Sequence, residues 1–238
     1  MSGAQPVKQE EKRILKAYAR RDCQDLYSLF NPGQLFAMQQ RERRVLALLN
    51  GYGFSHLEDK RIFEVGCGKG YWLRDFIKWG ASPRNLSACD LIAADLAVAQ
   101  ELLPPLVKLS HGNAAALDYP DNSFDLLLQS TVFTSILDQA MKERVAAEMM
   151  RVLKPGGLIL WYDYHLNNPW NPDVRGVPKA EIFKLFPGCR IELQRLTLAP
   201  PLARRIAPYS FLICYLLEKL PFLCSHYLGV IKKPALPP

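Results

Sequence analysis

The sequence has no paired cysteines. Its six, Cys23, Cys67, Cys89, Cys189, Cys214 and Cys224, show no CxxC or histidine-rich spacing, which argues against a disulfide framework and a structural zinc. No metal is expected. Long apolar runs are missing too. The stretch Phe211-Leu212-Ile213-Cys214-Tyr215-Leu216-Leu217 is followed at once by Glu218 and Lys219, well short of the ~20 residues that span a bilayer. Met1 to Arg21 is polar and charged, without the apolar core of a secretory leader. No internal repeat or low-complexity segment is visible. These absences lead to the expectation of a cytoplasmic protein with reduced thiols.

What is present is globular material. A length of 238 residues, 49% hydrophobic and 22% charged, suits one α/β domain with an appendage. The charge is less ordinary, at +7 with a pI near 9.1. Basic residues cluster at Arg41, Arg43 and Arg44, at Arg204 and Arg205, and at Lys232 and Lys233. Such a surface suits an anionic partner (phosphate, nucleic acid or an acidic membrane face) and equally a solvated helix face with a basic tail.

From Glu10 to Leu49 the pattern is helical, broken at Asn31-Pro32-Gly33. These helices precede the first strand and are expected to form a cap over residues 1–55. Strands are then predicted at Ile62 to Val65, Asn85 to Cys89, Leu106 to Ser110, Phe124 to Gln129 and Leu158 to Tyr162, alternating with helices. That alternation implies a parallel sheet covered on both faces, with ligands outside the carboxyl ends of its strands. Further strands are predicted at Arg190 to Leu198 and Tyr227 to Ile231. Between them lies a basic, apolar insertion at about 200–221, read either as a helix packed on the core or as an acceptor wall or membrane-surface contact.

The informative unit follows the first strand: Glu64-Val65-Gly66-Cys67-Gly68-Lys69-Gly70. Its glycines permit a sharp bend and close approach of a ligand. A dinucleotide fingerprint reserves for glycine the position held here by Tyr71, and a phosphate-cradling loop needs Ser or Thr after its lysine, where Gly70 stands. Glu64 adds a carboxylate that repels a pyrophosphate and suits a sulfonium with a free amino group. The second strand ends on Asp90, an acid able to grip a ribose.

At these residues the chain resembles the class I S-adenosylmethionine (SAM)-dependent methyltransferases. The glycine turn, Asp90, Gly112-Asn113-Ala114, Phe124-Asp125-Leu126 and Leu153-Lys154-Pro155-Gly156-Gly157 occur in the family's order. The resemblance implies a Rossmann-like, seven-stranded, mostly parallel α/β fold, a core over 56–238, and SAM as cofactor. It implies that Glu64, Gly66, Cys67, Gly68 and Gly70 serve the methionine end. Asp90 would hold the ribose hydroxyls, Leu91 and Ala114 flank the adenine, and Asn113, which replaces the usual Asp, accept from its amino group. Gln129, Ser130 and Thr131 would line the methionine side.

The cofactor carries the reactivity, so the protein's task is alignment, with a general base for an oxygen acceptor. His165 is the first expectation for that base and Asp163 the second, because both follow the fifth strand. Tyr162 and Arg175 are expected at the acceptor, Arg175 on an anionic group. Tyr18, Tyr27 and Phe30 either close over the cofactor or simply pack. The expected acceptor is a small molecule or a sugar- or lipid-linked one, methylated at oxygen, with peripheral membrane contact and no nucleic acid. The rivals are an RNA methyltransferase, a non-catalytic SAM-binding subunit and a nicotinamide-dependent oxidoreductase. Oligomeric state is not legible.

Overall fold

The uniformly apolar runs become the central strands. In the computed structural model, which describes residues 4–20 and 28–235, β1 (Ile62–Val65), β2 (Leu86–Asp90), β3 (Lys108–His111), β4 (Phe124–Ser130) and β5 (Leu153–Tyr164) lie parallel. β6 (Arg190–Leu198) and β7 (Cys224–Lys232) complete one seven-stranded sheet in the order β3-β2-β1-β4-β5-β7-β6, with β7 antiparallel to both its neighbours. The order reverses direction beside β1, where an open α/β sheet forms its ligand crevice.

Alternation along each strand divides the core in two. Phe63, Val65, Leu127, Ile159 and Trp161 meet Val145 and Met149 of α5 (Gln139–Val152) and Ile182 of α6 (Lys179–Leu185). Ile62, Leu126, Leu128 and Leu160 meet Val45 and Leu49 of α2 (Pro32–Gly51), Leu73 and Phe76 of α3 (Tyr71–Lys78), and Leu96 and Ala99 of α4 (Ala93–Leu102). Phe76 is fully buried, so truncating it to Ala costs roughly 3–5 kcal/mol.

The two N-terminal helices sit on different faces. α1 (Ala4–Ala19) packs on α5 through its buried Val7, Ile14 and Ala17, and its buried Glu10 accepts from the Leu137 amide at 2.6 Å. α2 packs against β6 and β7. Its start is the turn read at Asn31-Pro32-Gly33, where the Asn31 side chain accepts from the amides of Gly33 and Gln34 as a helix cap. Gly33 lies so close to α7 (Pro200–Ile206) that a Cβ there meets Arg204 backbone at 2.8 Å.

The insertion holds α7 and α8 (Phe211–Leu217). Because Tyr164, His226 and Leu196 share a register, the ends of β6 and β7 that carry it lie at the carboxyl edge of the parallel strands. β5 starts five residues earlier than its apolar run, since Leu153 pairs with Phe124 and the segment before Leu158 forms an irregularity in the ladder. Gly157 is needed there, because a Cβ meets the Asp125 carbonyl at 3.0 Å. Asp125 itself joins the Lys154 ammonium at 2.7 Å and the Arg61 amide at 2.8 Å.

Candidate active site

The loop after β1 spends its amides internally. Those of Gly66 and Cys67 donate to the Cys89 carbonyl at 2.9 and 3.2 Å, and that of Gly70 to the Cys67 carbonyl at 2.9 Å. The Gly68 amide donates to Asp90 Oδ2 at 2.7 Å. An anion cradle requires free amides, so this loop does not offer its glycine amides to a pyrophosphate. Its glycines differ in purpose. A Cβ on Gly66 meets Val132 at 2.5 Å and one on Gly70 meets Leu103 at 2.7 Å, while one on Gly68 meets nothing within 4 Å. Gly68, at φ +51°, is the glycine that faces open space. Gly70 faces α4 and caps α3, which corrects its expected contact with the cofactor. Cys67 is buried and can offer a ligand nothing but backbone.

Asp90 knits this loop to the next strand. Its Oδ1 accepts from the Ile92 amide at 2.8 Å, a turn contact just ahead of α4. Two further lone pairs are left for the hydroxyls of a ribose. Burial raises its pKa.

Two buried polar atoms at the loop lack partners: Glu64 Oε2 and Gln129 Nε2. Gln129 stands beside Val65 on the neighbouring strand, so an acceptor and a donor flank the carboxyl end of β1. Burial, with the Asp90 charge nearby, pushes the Glu64 carboxyl well above the ordinary carboxylate range. The two lie on opposite faces of the sheet, Glu64 level with Leu128 and Gln129 level with Val65, and each unpartnered group costs free energy unless something completes it. Ser130 and Thr131 follow at the same edge, half-buried. Thr131 holds φ +58°, a strained conformation for a β-branched residue.

Arg41, expected in an exposed basic cluster, turns inward instead. Its guanidinium stacks 4.1 Å from the Trp72 ring and 5.5 Å from that of Tyr162 and opposes the rise at Glu64. Helical spacing gave no sign of this, because α2 is covered on more than one side. On the adenine side, Leu91 and Ala114 are half-buried. Asn113 Oδ1 accepts from the Ala115 amide at 2.9 Å and keeps a second lone pair. Its Nδ2 donates to Glu11 of α1 at 3.4 Å.

The acceptor-side expectations are altered. Asp163 is fully buried and accepts from the Thr134 hydroxyl and amide and from the Tyr164 amide. Burial pushes its pKa up to about 6. It anchors the chain after β4, which corrects its expected role as a base. Tyr162 is buried with its hydroxyl 2.8 Å from Thr197 Oγ1, so it packs under Arg41 and does not line an acceptor surface. Arg175 pairs with Glu181 at 3.3 Å, a carboxylate already held by Lys142 at 2.7 Å, which corrects the expected clamp on an anion.

His165 remains. Its Nε2 lies 2.9 Å from the Cys224 carbonyl; a carbonyl only accepts, so Nε2 carries the proton and Nδ1 is the basic nitrogen. Burial lowers its pKa, keeping it neutral at pH 7. β5 is two strand spacings from β1, roughly 10 Å. Among the cap aromatics, Tyr18 bonds Ser135 at 3.2 Å, Phe30 is 98% exposed, and Tyr27 lies outside the described residues.

Residues 62–157 match the family described as "Methyltransferase domain". The chain is 36% identical over 141 residues to a probable SAM-dependent methyltransferase of Mycolicibacterium smegmatis, covering 56% of this chain and 52% of that one. It is 25% identical over 167 residues to the ubiquinone/menaquinone biosynthesis C-methyltransferase UbiE of Citrobacter koseri, covering 68% and 64%. The chain spans about half the length of the curated relatives it matches, from 30% to 64% for the first four. In fold it is similar to the [4+2]-cyclase SpnF, at a TM-score of 0.61 and 17% identity over 83% of this chain and 82% of that one. SAM is the cofactor whose amino-acid tail and ribose match the loop. On this loop, this acid and this strand order, residues 62–157 are similar to the methyltransferase-domain family, and the sheet shares its strand order with the fold of solved SAM-dependent methyltransferases.

Proposed function

We propose that the protein transfers a methyl group from SAM to a small-molecule acceptor with a hydrocarbon or lipid-linked part, at oxygen. The observation that carries the cofactor half is the unpartnered Glu64 carboxyl oxygen beside a loop with open space at Gly68. Bound SAM supplies an electrophilic methyl group on a sulfonium. Glu64, Gln129 and Asp90 fix the two ends of that molecule, so alignment for in-line displacement comes from the β1, β2 and β4 ends. His165 Nδ1 takes the proton of the acceptor hydroxyl. Residues 1–55 serve as the cap in this reading, and 200–221 as the acceptor-side insertion.

The acceptor class rests on two supports. One is the relative named for ubiquinone and menaquinone biosynthesis; the other is the exposure of Leu212, Leu216 and Phe222 on the insertion at the ligand edge. That relative's name also specifies carbon, which supports a second reading: methylation of an electron-rich ring carbon. Fold alone does not fix the reaction, as the cyclase shows. The test is S-adenosylhomocysteine (SAH) release with a panel of quinols, sterols and glycolipids, followed by mass spectrometry of the product. Turnover with a lipid hydroxyl supports the proposal. Turnover at ring carbon supports the second reading, and turnover with RNA alone refutes both.

A further inference from the structure

The apolar insertion does more than pack. α8 turns one residue, Cys214, fully into a small core with Phe36, Leu198, Ala203 and Ala207. Leu212 is 67% exposed, Leu216 57%, and the flanking Tyr209 and Phe222 88% and 70%. Soluble surfaces seldom gather so many large apolar side chains in one place without using them. Beside α8, between it and α2, lies a groove of about 570 Å³ lined by Phe36, Leu46, Phe211, Leu212 and Tyr215, with Arg43 among its walls.

A collar of one sign accompanies this face. Arg43 lies 5.8 Å and Lys219 4.5 Å from the Tyr215 ring, and Arg43, Arg44, Arg205 and Lys219 are all exposed. The neighbouring acids are withdrawn. Glu218 accepts from the Thr197 amide at 3.0 Å, and Glu42 is taken by Lys78 at 2.5 Å and the Trp79 indole at 2.8 Å.

We propose that the α8 face with this collar docks the protein on an anionic lipid bilayer. Apolar side chains enter the acyl boundary while the cations meet headgroup phosphates. Tyr209 and Tyr215 suit the boundary itself, being apolar with a polar tip. A second copy of the chain fits less well, because a two-fold interface apposes identical surfaces and brings these cations against each other. Among the described residues no helix is long and apolar enough to cross a membrane, so the contact is peripheral. α7 and α8 hang from the carboxyl edge of the sheet, so docking turns the ligand crevice toward the bilayer. Docking requires no turnover, and it stands or falls separately from methyl transfer.

The test is co-sedimentation of the full chain with phosphatidylcholine vesicles with and without phosphatidylglycerol. Two double variants are compared, Leu212→Glu/Leu216→Glu and Arg44→Glu/Lys219→Glu. Thermal melts by circular dichroism, expected to keep one cooperative transition in both, report that they fold. Binding is expected with phosphatidylglycerol only, weakened about tenfold or more in each variant. Equal binding to neutral vesicles, no binding to anionic ones, or undiminished binding by the charge-reversed variant overturns the proposal. So does a concentration-dependent dimer in ultracentrifugation that Leu212→Glu/Leu216→Glu renders monomeric.

Discussion

Replacing Glu64 by Gln tests the proposal that this buried carboxyl ionises against the ammonium of the cofactor. Without a ligand, burial and Asp90 keep the Glu64 proton on well above the usual carboxylate range, and Arg41 only partly opposes this. An ammonium group brought against Oε2 reverses the balance, so ligand binding releases a proton. Between the ordinary carboxylate value of 4.5 and the raised one, affinity for SAH tightens with pH by up to about tenfold per unit. Gln keeps the shape but cannot ionise. It loses a charge-assisted hydrogen bond worth ~1.5–3 kcal/mol, or roughly 10- to 150-fold in Kd, and the pH slope vanishes. Calorimetry with SAH in phosphate and in Tris, whose ionisation heats differ, reads the released proton directly. Equal heats in the two buffers, together with wild-type affinity in Glu64→Gln, refute the assignment of Glu64 to the ammonium.

The last two loop glycines separate ligand space from packing. Gly68→Ala costs ~1–2 kcal/mol of stability from its left-handed backbone, while its Cβ enters open space; SAH should fail to raise its Tm. Gly70→Ala meets Leu103, so it should lower Tm by more and retain an SAH-induced shift in what remains folded. Asp163 has a folded pKa of about 6 against an ordinary 3.8. A raised carboxyl gives up its proton first in the unfolded chain, so stability falls as pH rises from ~4 to ~6, by ~3 kcal/mol. Denaturant melts of Asp163→Asn should lack that fall, and an unchanged slope counts against the burial argument. His165→Gln should remove the acidic limb of the rate profile with an oxygen acceptor. Since the His165 pKa is lowered, that limb lies below pH 6.5 in the wild type. A surviving limb assigns the base elsewhere.

The glycine turn and the acid at the end of β2 were legible because they are local. β1 and β6 fall at the bounds predicted for them, and the loop and Asp90 lie within one β-α-β unit. The acceptor half was not. Asp163 finds Thr134 and Tyr162 finds Thr197 across 29 and 35 residues, and no spacing rule links such pairs. Arg175 read as available because its partner Glu181 is fixed by Lys142 only after α5 and α6 pack together. The glycine turn announced flexibility, but not that its amides would be consumed by Cys89 and Asp90, which takes a folded β2 to see. Glu11 reaching Asn113 likewise needs α1 laid on the far side of the sheet from α2.

Titrating SAH into the wild type and Asp90→Ala is the most direct measurement. Asp90 holds the Gly68 amide and, in the proposed function, grips the ribose as well. The wild type should bind one equivalent, the variant roughly a hundredfold or more weaker through two lost charge-assisted bonds, and NAD should give no heat with either. Well-folded wild type that gives no heat with SAH or SAM, or that binds NAD instead, contradicts the account.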